Sequence, residues 1–469
     1  MKTPFLGAAY TTRTNLLGVN QLINMYPVKA EDQAKEIGAF VQCPGLVQYM
    51  DTGLAGCRGL YRASNGIAYG VNGSTLYTFA AGAMAVIGTI STASGPVSMA
   101  DNGVQLALVD GVAGYYVPLA GGALTQITAD GFPNGSRQID FADTYLIAFN
   151  PANGVFGISG NNDAAAWDAL DFGSAEGSPD KNKALIVNYR ELWLFGDQSG
   201  EIFTDSGAAD FPWERFQGGF IEKGIAAPYT LKKLDNSVFM LGSDINGAGV
   251  VYRSEGFNMV RISTHAIEFA LSTYSTIEDA IAWTYQQDGH SFYVLSFPAA
   301  GKTWAYDVSA GGWHERAGFE DGEFTRYPAT WHIYTEGKHI VGDYASGKLY
   351  ELSQSAYDYD GKPLKWLRSW RGTENEEKYV NYARLEVSAE VGHGLNGLVQ
   401  GADPQCVIRY SQNGGRNWSN EITRALGQIG QFNARVSVAR LPRARNMVFE
   451  ISGTDPVKTA LCGAFVDAE

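Results

Sequence analysis

The sequence predicts an all-β protein: a β-propeller of seven blades, with six as the alternative count, followed by a C-terminal antiparallel β-sandwich-like domain. Three observations carry this. Glycine is abundant at 56 of 469 residues, beside 25 Tyr, 23 Phe and 10 Trp, while only 18% of residues are charged. Aromatic and β-branched runs cut by glycine favour strands joined by tight turns. A strand–turn–aromatic strand unit recurs along most of the chain, and the last hundred residues change to a plain apolar/polar alternation.

The repeating units are GLYRASNGIAYGVNGSTLYTF (59–79), VSMADNGVQLALVDGVAGYYVPL (97–119), QIDFADTYLIAFNPANGVFGIS (138–159), ALIVNYRELWLFGDQSGEIFTDS (184–206), LKKLDNSVFMLGSDINGAGVVYRS (231–254), AWTYQQDGHSFYVLSFPAAGKTWAYDV (282–308) and ATWHIYTEGKHIVGDYASGKLYEL (329–352). With the middle strand of each as a ruler, Tyr69, Leu106, Leu146, Leu192, Phe239, Phe292 and Ile340 are spaced by 37, 40, 46, 47, 53 and 48 residues. A period of this length, holding several short strands, is that of a propeller blade. One such sheet cannot bury both its apolar faces, whereas radial stacking and closure can. A series of β-meanders in two stacked sheets is the competing arrangement, since the loop lengths vary.

Residues 1–49 do not repeat and read as an N-terminal arm and first extended element; LINMYPVKA, the charged EDQAKE and FVQCPGL follow one another there. The propeller is placed on 50–355. The rhythm stops near Tyr357, and 356–469 reads as the C-terminal antiparallel domain, because ARLEVSAEVG (383–392), QCVIRYSQNGGRNWSNEI (405–422) and ARVSVARLPRARNMVFEISG (434–453) each alternate a buried and a wet face.

The net charge is −14, and since residues 370–469 hold 11 basic and 11 acidic side chains, the excess lies in the first 369. That disfavours wrapping of nucleic acid, which needs phosphate neutralisation, but is compatible with a wall along which DNA slides. The four cysteines, Cys43, Cys57, Cys406 and Cys462, have no CxxC spacing, so neither a disulfide framework nor a thiolate metal site is indicated. No apolar stretch reaches the roughly 20 residues of a membrane span, and a soluble chain without a signal peptide is expected.

No catalytic, cofactor-binding or metal-binding residue is assigned, and no cofactor is expected. His265, His290, His314, His332, His339 and His393 form no HxH or HExxH pattern, although His332 and His339 fall in the two strands of one hairpin. Asp358, Asp360 and Gly361 open like a calcium loop, yet Ser369 stands where the bidentate carboxylate belongs, so a D-G turn is the better reading. Asp110, Asp197, Asp244 and Asp307 follow inner strands at comparable places, where a propeller enzyme would draw its carboxylates and where aspartate also serves turns. In NGGRNW (413–418), Asn413 and Gly414 are expected at positive φ in a tight hairpin that folds Trp418 back on the sheet. Arg435, Arg440, Arg443 and Arg445 are the one basic concentration; guanidinium forks suit a neighbour's carboxylates, and these four are the candidate subunit-contact residues.

The opening NMYPVKA…FVQCPGL (24–46), RGLYR…YGVNGSTLY (58–77), YDVSAGGWHER (306–316) and IRYSQNGGRNWS…GQFNARVSVARLPRARNMVFEISGTDPVKTAL (408–461) resemble the tail accessory, packaged-DNA stabilisation proteins of P22-like bacteriophages. The resemblance implies a virion structural protein with a propeller body and no catalytic residues. It implies a tail hub or nozzle: a homo-oligomeric ring, a hexamer, below the portal and head-to-tail adaptor. Such a ring would extend the DNA channel, retain packaged double-stranded DNA until ejection, and dock tail fibres, spikes or a needle. Synthesis in the host bacterial cytoplasm and residence in the virion tail follow. The alternative is a glycan-binding or glycan-cleaving β-propeller of a phage tail tip.

Overall fold

The computed structural model describes residues 2–7, 11–14, 18–30, 37–208, 211–373 and 375–468; strands dominate, with a single α-helix, His265–Ser272, among the described residues. Seven antiparallel sheets follow one another along the chain. Their second strands are Ala68–Asn72, Gln105–Val109, Tyr145–Asn150, Glu191–Gly196, Ser237–Asp244, His290–Phe297 and Lys338–Asp343. Each of the seven ruler residues lies on one of these strands, and each is buried. Seven is therefore the blade count.

The first strands line the axis and close a circle. Cys57–Arg62 of blade 1 neighbours Ser98–Asp101 of blade 2, and Gln138–Ala142, Asn182–Asn188, Pro228–Leu234, Ile281–Gln287 and Ala329–Thr335 continue the series back to Cys57–Arg62. Between successive blades lie seven separate apolar cores, among them Tyr69, Leu76, Leu106 and Leu108 between blades 1 and 2, and Met50, Cys57, Tyr77 and Ile340 between blades 7 and 1. Each fully buried aliphatic or aromatic side chain stabilises by ~1.5–3 kcal/mol relative to exposure, so each blade is held by its two neighbours. Polar groups stitch the same seams: Gln138 of blade 3 accepts from the Leu185 N–H (2.8 Å) and donates to the Pro228 carbonyl (2.9 Å).

Blade 7 takes only three strands from 329–353; its fourth is Gly45–Asp51, paired antiparallel with Lys348–Ser353. The sequence boundary at 49/50 falls inside this strand. Nothing in a seven-residue segment marks it as the outer edge of a sheet formed 300 residues later.

The expected N-terminal arm also has a fixed place. The sandwich has one sheet ordered Gln21–Ile23, Trp366–Arg371, Val448–Gly453, Gln405–Ser411, Ile422–Ala425, and a second ordered Met25–Lys29, Gly38–Gln42, Ala460–Ala468, Val380–Ala389, Val436–Ala439. Phe5, Leu22 and Phe40 from the N-terminal segment pack with Trp366, Trp370, Leu385, Ile408 and Phe449 in the core between them. Residues 2–7, 18–30 and 37–42 are thus built into the sandwich, while EDQAKE (31–36) lies outside the described residues. Alternating apolar side chains, not a charged tether, explain why: Leu22, Met25 and Phe40 need an apolar cover that the C-terminal strands supply.

The two parts share one sheet. Gly312–Glu320, the outer strand of blade 6, pairs in parallel with Gln21–Ile23 at Ile23↔Glu315. Asn24 locks this joint. It is fully buried with φ +55°, and its side-chain N–H groups donate to the carbonyls of Ala317 and Lys365 (2.8 Å each), while its oxygen accepts from the Ala317 N–H (2.9 Å) and the Tyr359 hydroxyl (3.2 Å).

Candidate functional site

The residues singled out in the sequence do not converge. Asp110 accepts from the N–H groups of Val112 (3.0 Å) and Ala113 (2.9 Å) and from Ser91 and Thr92, and although burial raises its pKa these bonds draw it below the usual carboxylate range. Asp197 pairs with Lys183. Asp244 pairs with Lys223 at 2.7 Å, and that hydrogen bond lowers its pKa. Asp307 contacts His290 at 2.6 Å and accepts from Ser309 N–H at 2.9 Å. Each carboxylate holds its own turn or strand end. Asp360 (φ +53°) and Gly361 (φ +79°) form the two-residue turn between Asp358–Tyr359 and Lys362–Pro363, with Asp360 paired to Lys348 at 2.6 Å. Among the described residues no group of three or more His, Cys, Asp or Glu side chains could hold a metal ion.

The NGGRNW segment departs from expectation. Positive φ falls on Gly414 (+72°) and Gly415 (+86°), not Asn413, and the strand pairing begins only at Ile408↔Ile422, so the connection is a wide loop. Asn413 instead caps the loop by accepting from the N–H groups of Arg416 (3.2 Å) and Asn417 (2.9 Å). Trp418 does return to the sheet, where the Arg409 guanidinium lies 5.3 Å from its ring centroid.

The four arginines are all exposed on the sandwich. Arg435 is engaged within the chain, its fork meeting both carboxylate oxygens of Glu386 (2.9 and 3.1 Å). Arg443 and Arg445 both lie against the half-exposed Tyr379, at 4.4 and 4.5 Å from its centroid. Arg440 sits at φ +60° between the strands Val436–Ala439 and Arg443–Ala444. The shared ring holds the two guanidinium groups together as a small basic patch.

A wide concavity lies elsewhere, at the propeller face carrying the first hairpin turns of blades 4–7. It has a volume of about 870 Å³, and its rim includes Tyr189, Asp235, Asn236, Asp288 and Tyr334. The turns are tight because Asp235, Asn236, Asp288, Gly289, Glu336 and Gly337 all have positive φ. Its floor holds Thr284, Tyr285, Gln287, His332 and His339. Tyr285 is fixed from below by the buried Arg316, which donates to its hydroxyl and lies 5.2 Å from its centroid. His332 Nε2 and His339 Nδ1 are 3.0 Å apart. Burial, and then the neighbouring His339, push His332 down to about 3, and burial lowers His339 too, so near pH 7 the pair is neutral and one ring donates to the other.

Thr284 and His332 also line a narrower axial space of about 200 Å³ bounded by Tyr61, Gln138, Tyr229, Lys232, Trp283 and Trp331. Trp331 has φ +54° at a β-bulge between Thr330 and His332, and the Lys232 ammonium lies 5.4 Å from its ring centroid. Desolvation lowers Lys232 to about 8. A duplex whose major groove alone is ~12 Å wide has no passage along this axis. The sequence showed His332 and His339 on one hairpin but had no signal for this chamber, which needs the ends of four blades.

With the fold in place, comparison with known proteins decides the family. The model for the bacteriophage P22 Gp10 β-propeller matches residues 1–357, and that for the Gp10 β-sandwich matches 365–469. The chain belongs to the bacteriophage P22 Gp10 family. As a Gp10 relative it is a phage structural protein and a component of the virion. No curated protein matches it. Among solved structures it is similar to the extracellular domain of BT4673 from B. thetaiotaomicron (10% identity over 87% of this chain and 58% of that one, TM-score 0.42). It is also similar to a catalytically inactive virginiamycin B lyase from Staphylococcus aureus with quinupristin (9%, 66% and 98%, TM-score 0.40) and to BamB from Moraxella catarrhalis (11%, 72% and 98%, TM-score 0.38). The chain spans little more than half of the first of these.

Proposed function

We propose that this Gp10-family chain is the tail hub or nozzle subunit, six copies forming a ring below the portal and adaptor that retains packaged DNA, lets it pass at ejection, and docks fibres, spikes or a needle. The observation that carries the reading is the joint match of the propeller and sandwich over nearly the whole chain. The shared sheet and the Asn24 joint support it, because a subunit that resists outward pressure on DNA benefits from two parts that cannot hinge freely. A division into 1–49, 50–355 and 356–469 serves as a guide to the chain, with Gly45–Asp51 counted in blade 7.

The DNA conduit in this reading lies between copies, since the propeller axis is narrowed to a space of about 200 Å³ bounded by Trp283, Trp331 and Tyr229. The acidic excess of residues 1–369 would then face or flank that conduit and limit phosphate adhesion. Arg443 and Arg445 are the subunit-contact residues of this proposal, with Arg435 and Arg440 beside them. Cryo-electron microscopy or mass photometry with the portal–adaptor assembly tests it: six copies docked beneath the adaptor are expected, and a chain that remains a monomer in its presence refutes it.

A further inference from the structure

We propose that the open chamber at the first-hairpin face of the propeller is a binding site for a neutral, hydroxyl-rich ligand, a segment of glycan. Its volume of about 870 Å³ is within the range of ligand pockets. The inference goes beyond the ring reading and does not rest on it.

Three features set the ligand class. First, Tyr189 and Tyr334 stand on the rim with 70% and 52% of their surface exposed. A large aromatic side chain held open, Tyr189 on its turn and Tyr334 near its strand end, forgoes the burial such side chains ordinarily gain, and a flat ring suits the C–H face of a pyranose. Tyr334 is steadied by the His339 ring, 4.9 Å between centroids.

Second, the walls supply amides and hydroxyls that match vicinal diols. Gln287 Oε1 is buried without a hydrogen-bond partner in the protein, and so is Trp283 Nε1 in the adjoining axial space. Buried polar atoms are ordinarily paired; an unmet acceptor in the wall of the chamber and an unmet donor in the wall of the space beside it favour a ligand that brings hydroxyl groups.

Third, the charges exclude the other classes. Lys233, Asp235 and Asp288 all line the chamber and the imidazole pair is neutral, so its side chains carry no cationic surplus for a phosphate or sulfate. The open polar atoms disfavour an acyl chain. A peptide strand would need an unpaired sheet edge, whereas the mouth is made of closed hairpin turns.

The test uses the full chain. Maltohexaose, cellohexaose and hexa-N-acetylchitohexaose are titrated by calorimetry and by saturation-transfer NMR, with a heparin hexasaccharide and a Ser/Asn-rich hexapeptide as comparators. At least one neutral hexasaccharide binds, and Tyr189→Ala and Tyr334→Ala each weaken it by about tenfold. Gln287→Leu weakens it as well, whereas Val86→Ala, on an exposed outer strand of blade 1, leaves it unchanged. Both tyrosines are exposed, so their replacement keeps the test valid even where Gln287→Leu does not fold. The proposal is overturned by any of three results: no neutral hexasaccharide binds at millimolar concentration, binding is indifferent to both tyrosine variants, or the peptide or heparin competes for the chamber more strongly than the neutral sugars.

Discussion

Replacing Asn24 by alanine removes four side-chain hydrogen bonds at one buried point. At a net ~1 kcal/mol for each bond, with a further ~1 kcal/mol for placing a Cβ-bearing residue other than asparagine in the left-handed region, the expected loss is about 5 kcal/mol. Asn24→Gly recovers only the backbone part. Asn24→Asp is the sharper variant, because it keeps the acceptor that serves Ala317 N–H and Tyr359 while turning the donor into an oxygen aimed at the Ala317 and Lys365 carbonyls. It is expected to be at least as damaging as alanine. Intrinsic tryptophan fluorescence during thermal unfolding reads the effect, about 10–20 °C at the 2–4 °C per kcal/mol of a 150–250-residue unit. If Asn24→Asp melts within a degree or two of the parent protein, the joint is not what holds blade 6 to the sandwich.

Further outcomes follow from the same geometry. Gly56→Ala would place a Cβ 2.0 Å from the Tyr344 carbonyl oxygen, at the seam where blade 7 meets blade 1; a loss of ~1–3 kcal/mol is expected by chemical denaturation, and an unchanged midpoint would show that the seam yields. Arg443→Ala with Arg445→Ala is expected to leave the melting temperature of the single chain nearly unchanged, as exposed charges contribute little, while lowering ring assembly in mass photometry; intact rings would exclude these residues from the contact. His332 has its pKa lowered from 6.5 to about 3, so the unfolded chain takes up the proton first and stability falls as pH drops from 6.5 towards 3. His332→Phe should flatten that part of the stability–pH curve. Lys232, lowered from 10.5 to about 8, costs stability below pH 8 that is regained as pH rises towards 10.5, so the advantage of Lys232→Met at pH 7 should vanish at pH 10.5; an advantage independent of pH would trace to packing.

The blades were legible because they are local. A hairpin brings together residues a few positions apart, its turn needs positive φ where Asp288-Gly289 and Glu336-Gly337 stand, and its second strand is buried on both faces, which is why Leu106, Leu192 and Phe292 served as a ruler. The D-G turn at Asp360-Gly361 was read for the same reason. In NGGRNW the sequence allowed a tight turn that the loop does not use, because its width is set by where Ile422 pairs with Ile408.

By itself, then, the sequence determined the all-β class, the repeat, and the change of pattern near residue 356, since each is written in periodicity along the chain. Only the tertiary structure decided that residues 2–7, 18–30 and 37–42 complete the sandwich, that Gly45–Asp51 finishes blade 7, and that the ends of four blades enclose a chamber. In the first two of these the partners are roughly 300 to 460 residues apart, as with Asn24 and Ala317 or Thr3 and Ala464. Strand edges and buried faces select such partners by shape and unmet hydrogen bonds once the chain has collapsed, and neither leaves a spacing to be read beforehand.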